Sequence, residues 1–101
     1  MIFALDLLNR AGNLITGSRK KKHGDFFENH KNISRMWSAY LANQLSKPLT
    51  PIQVLNMMAL LKVARKETGE FDIDNTLDAI GYLALSGQLE SKLNEEDNEW
   101  N

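Results

Sequence analysis

A single all-helical domain, a four-helix bundle-like arrangement, is what the sequence predicts, and three observations carry it. Apolar residues recur at three- and four-residue spacings, helix caps and stops punctuate the chain, and alternating strand patterns scarcely occur. A length of 101 residues fits one domain. A domain this small covers a modest share of its surface, so homo-oligomerisation is expected to complete the bundle.

The first helix is expected over residues 2–16, where Phe3, Leu5, Leu8, Ala11, Leu14 and Ile15 trace one face and Gly17 with Ser18 stops it. Arg19 to Lys22, His23 and Gly24 then read as an exposed connection. Asp25 stands at an N-cap position with Glu28 three residues on, the spacing of a capping box. A second helix follows over 25–44, with Phe26, Ile33, Trp37, Tyr40, Leu41 and Gln44 facing inward and Glu28, Lys31, Asn32 and Arg35 outward. Thr50-Pro51-Ile52-Gln53 opens a third helix over 51–67, with a capping hydroxyl, a proline at the first helical position and a glutamine at N3. From Val54 to Ala64 this helix is apolar on most sides, which predicts partners on more than one face, and Gly69 ends it. A fourth helix is expected over 74–93, beginning near Asp72 to Asn75 and running through Leu77, Ile80, Leu83, Leu85 and Leu89. Ala79, Gly81 and Ser86 leave room there for a close neighbour. The helical domain thus spans 1–93 and residues 94–101 form an acidic, flexible tail. Short connections favour antiparallel neighbours.

Composition narrows the chemistry. Without cysteine there is no disulfide framework, no thiolate metal site and no thiol nucleophile, as suits a cytoplasmic protein. Asp6, Asn9, Arg10 and Asn13 interrupt the opening segment, so neither a leader nor a membrane span is expected there. A net charge of −1 gives no general attraction to nucleic acid, and the Arg19 to Lys22 run lacks the aromatic or glycine interleaving of a nucleic-acid arm.

Four groups of polar residues exceed what a plain bundle needs. Asp25 and Glu28, beside His23 and Asn29, place two carboxylates in the first turn of the second helix, where capping and the helix dipole are the plainer explanation. Asp74 and Asp78, with Asn75, stack on one face of the fourth helix, a spacing at which two carboxylates can share a divalent cation. Asp78 also lies between Leu77 and Ala79, one turn before Tyr82, at the edge of the packing face. Lys62 and Arg65 have the spacing for a joint grip on phosphate, although cations in a last turn also suit the dipole. Trp37 and Tyr40 read first as core, and as base-stacking residues second.

The ordered string His23-Gly24-Asp25 with Asn29, Trp37-Ser38-Ala39-Tyr40-Leu41, Met57-Met58 through Leu60-Leu61-Lys62 to Ala64-Arg65, and Asp74-Asn75 through Asp78 to Gly81-Tyr82 and Ala84-Leu85 resembles a family of small bacteriophage and prophage proteins. That resemblance implies a phage-encoded chain of the host cytoplasm. A looser similarity is to the all-α nucleoside triphosphate pyrophosphohydrolases of the MazG-like and dimeric dUTPase kind, which hold magnesium with acidic pairs on adjacent helices. It implies that Asp25, Glu28, Asp74 and Asp78 bind magnesium and that Asp78 and Glu28 orient water. His23, Asn29, Trp37, Lys62, Arg65, Asn75 and Tyr82 would then border the nucleotide. The competing expectation is a non-catalytic helical module that binds a second copy, a host protein or a phage protein.

Overall fold

The computed structural model describes residues 1–17 and 25–96 in full and the helical backbone onward to Trp100. Its helices are α1 (Ala4–Thr16), α2 (Phe26–Tyr40), α3 (Pro51–Thr68) and α4 (Ile73–Trp100), with no strand among the described residues. The architecture is the expected all-α, four-helix domain. The connection carrying the basic run and His23 lies outside the described residues.

Helix α1 starts after Phe3 without a side-chain cap and stops at Gly17, whose N–H donates to the Asn13 carbonyl at 2.9 Å. A Cβ at residue 17 would stand 2.6 Å from that oxygen, so the close approach requires glycine. The inward face differs from the expected one. Ala11 is buried and Leu7, Leu14 and Ile15 are half-buried, while Phe3, Leu5 and Leu8 are exposed. Apolar residues occupy two adjacent stripes of this helix, and packing on α4 covers one of them.

Asp25 caps α2 as expected, but its carboxylate accepts from the Phe27 N–H at 2.9 Å, and Glu28 is exposed. The helix ends at Tyr40, four residues short of the expected limit, because the chain turns over 41–44, where the Gln44 N–H donates to the Leu41 carbonyl at 2.7 Å. The Leu49 N–H donates to Ser38 Oγ at 2.8 Å and ties the connection back to α2. Tyr40 is 89% exposed rather than inward, and the inner face is instead led by His30 and Ser34.

Helix α3 forms both halves of its capping box: the Gln53 N–H donates to Thr50 Oγ1 at 3.1 Å and the Thr50 N–H to Gln53 Oε1 at 2.9 Å. Thr50→Ala deletes one half and unseats the other, so it should cost about 1 kcal/mol. Urea titration checks this, and Thr50→Ser should recover most of the loss. Gly69 ends α3 by donating to the Arg65 carbonyl.

At the start of α4 the Asp74 N–H donates to Asp72 Oδ1 at 3.0 Å, so of the two candidate caps Asp72 serves. The helix then continues past the expected end at Leu93 to Trp100, since neither glycine nor proline follows Gly87 before that point. Its 28 residues give a rod of about 42 Å.

The core lies chiefly between α3 and α4, with α1 packed on α4 and α2 on α3. Val54, Leu55 and Ala59 from α3 meet a layer containing Leu77, Ala79 and Leu89 from α4. Among the described residues no helix is long and apolar enough to cross a membrane.

Candidate functional site

Polar side chains enter this core at several places. Asp78, Tyr82, Ser86 and Leu89 recur on one face of α4 at four-, four- and three-residue steps, and that face packs. On α3, Lys62 lies one turn beyond buried Ala59, so its aliphatic stem follows the apolar face inward. Its Nζ meets Asp78 Oδ2 at 3.0 Å, with the Lys62 side chain 16% exposed and that of Asp78 8%. Six residues earlier on the same helix, Asn56 Oδ1 accepts from Ser86 Oγ at 2.8 Å. The two rungs run in opposite residue order on α3 and α4, as an antiparallel pair requires, and together they fix the register of the two helices.

From α2, His30 reaches the same α4 face. Its ring meets that of Tyr82 edge-on, with centroids 6.1 Å apart and planes at 75°. His30 Nδ1 donates to the Phe26 carbonyl at 2.8 Å, which leaves Nε2 as the other ring position. Ser34 Oγ donates to the Lys31 carbonyl at 2.7 Å. Phe27 lies between two ammonium groups, 5.8 Å from Lys31 and 5.3 Å from Lys92 of α4, so α2 is also held near the middle of the long helix. Among the described residues no buried side-chain nitrogen or oxygen lacks a partner. The seam is therefore a satisfied internal network that aligns helices.

The candidate residues of the sequence separate accordingly. Asp25 is exposed and caps α2, Glu28 and Asp74 are exposed, and Asp78 is buried against Lys62. Among the described residues no three His, Asp or Glu side chains gather in a group that could hold a metal ion. Magnesium takes several oxygens in near-octahedral order, and these four acids do not fit it as a set. Lys62 and Arg65 do not act together either: Lys62 is engaged by Asp78, whereas Arg65 stands exposed in the last turn of α3. Asn29 is exposed, and Trp37, Asn75 and Tyr82 are half-buried. The sequence reading passed over His30, Ser34, Asn56 and Ser86. The signal for His30 was its place four residues after Phe26 and seven before Trp37 on one α2 face, and for Ser86 its two-turn step from Asp78.

A second feature is apolar. Opposite its buried face, α3 exposes Met57, Leu60 and Leu61, and α1 exposes Leu5 and Leu8. The expectation that α3 is apolar on more than one side holds, and one of those sides is uncovered.

Residues 6–90 match the family described as Domain of unknown function (DUF6378), and the chain belongs to that family. It is 34% identical over 86 residues to the Gene 55 protein of Mycobacterium phage L5, an alignment covering 85% of this chain and 53% of that protein. With the Gene 55 protein of Mycobacterium phage D29 it shares 33% identity over 95 residues, covering 93% of this chain and 60% of the relative. The chain thus spans little more than half the length of these curated relatives. No solved structure is similar to it. The phage association implied by the ordered motifs is thereby shown at the level of the family.

Proposed function

We propose that this all-helical member of a phage-associated family acts by protein association, as a non-catalytic helical module whose partners cover its apolar faces. One observation carries the reading: α3 buries Val54, Leu55 and Ala59 on one side and leaves Met57, Leu60 and Leu61 exposed on the other. Scattered exposed leucines are ordinary, but a stripe at helical spacing beside a second such stripe on α1 is the pattern of an interaction surface. The polar seam supports the same reading, because satisfied pairs that set helix register hold the outer stripe in a fixed shape.

Magnesium-dependent hydrolysis of nucleoside triphosphates would instead need the acids of α2 and α4 in one group, and their placement does not favour it. Thermal unfolding separates the two. If association stabilises the fold, the midpoint rises by roughly 3–6 °C per tenfold increase in protein concentration and is unmoved by nucleotide with magnesium. A concentration-independent midpoint that climbs with nucleotide and magnesium, accompanied by pyrophosphate release that Asp78→Asn abolishes, would replace the association reading with the hydrolase.

A further inference from the structure

We infer that the outer stripe of α3 is a two-fold seam between two copies of this chain, an assignment that rests on the association reading. Met57, Leu60, Leu61 and Ala64 stand at relative positions one, four, five and eight, so they line one face, and all four are exposed. This face is opposite the one that carries Val54, Leu55, Ala59 and Lys62.

The stripe is complementary to itself when reversed. A two-fold axis crossing α3 between Leu60 and Leu61 sets Leu60 against Leu61 of the second copy and Met57 against Ala64 of the second copy. A long, adaptable side chain thus fills the space over a small one at both ends. In the same register Gln53 falls beside Thr68 and Asn56 beside Arg65, so no like charges are opposed. The surface permits such a partner. The chain exposes 7690 Å², about 1,900 Å² more than a folded monomer of 11.5 kDa ordinarily does. A standard interface needs about 800 Å² from each partner. A second copy therefore suits this face by area, by shape and by charge.

Because the chain has no cysteine, single cysteines report neighbours without interference. Leu60→Cys and Leu61→Cys should each form a disulfide-linked dimer under mild oxidation, and Leu5→Cys should not. Leu61→Glu should weaken self-association at least about 100-fold while leaving the helical circular dichroism unchanged, since the position is exposed in the single chain. Cross-linking through Leu5→Cys alone, or a doubled mass that survives Leu61→Glu, would overturn the α3 seam and leave association standing. No cross-linking from any of the three, with a single-chain mass throughout, would remove the seam and self-association together.

Discussion

Asp78→Ala should destabilise the protein by about 3 kcal/mol, the lower end of what breaking a buried ion pair costs. The substitution leaves the Lys62 ammonium at the α3/α4 junction without the carboxylate it meets at 3.0 Å. The magnitude sits at the lower end because the Lys62 side chain is 16% exposed and can recover some hydration by bending outward. For a domain of this size the loss corresponds to a fall of about 12–24 °C in the unfolding midpoint. Replacing both partners, as in Lys62→Met with Asp78→Leu, removes the charges together and should restore most of the stability. Urea titrations of the two single variants and the double variant measure the coupling. Single variants that unfold with the parent protein would show that the pair contributes nothing to the fold, and Asp78 would then need another explanation.

Leu55→Ala should cost about 2–5 kcal/mol. Leu55 is 0% exposed, on the face where α3 meets the core, so truncation loses the transfer energy of three carbons and leaves a space that rigid helices only partly close. Leu60→Ala, five residues on at a site 66% exposed, makes the contrast. Within the single chain it should change stability by no more than about 0.5 kcal/mol. Any larger loss for Leu60→Ala should grow with protein concentration, because it would belong to the associated form. Chemical denaturation of both variants at two concentrations distinguishes a core defect from an interface defect.

Local signals in the sequence carried the fold a long way. Thr50, Pro51 and Gln53 specify the start of α3 through contacts within four residues, and the structure realises each one. Asp25 and Asp72 cap their helices for the same local reason. What escaped the sequence depends on packing between distant segments. In α1, the apolar residues form adjacent stripes, and periodicity alone does not say which one α4 covers. Tyr40 continues the apolar spacing of α2, yet the helix ends there and the ring stays outside.

The candidate site divides in the same way. Asp78 attracted notice because a carboxylate beside Leu77 and Ala79 is out of place on a packing face, and the structure does bury it. Its partner, Lys62, lies sixteen residues earlier on a different helix, and only the antiparallel register of α3 and α4 brings them together. Grouped by residue type, the four acids look like a metal set; in the fold, Asp25 serves its own helix start and Asp78 the core. His30 was hidden because a histidine flanked by Asn29 and Lys31 reads as surface, although its four-residue step from Phe26 put it on the inner face.

Sedimentation equilibrium across a hundredfold range of protein concentration tests association most directly. The average mass should rise from 11.5 kDa toward twice that value, and Leu61→Glu should hold it at the lower limit. A mass of 11.5 kDa at every concentration would contradict a module that works by covering its exposed helix faces with a second copy.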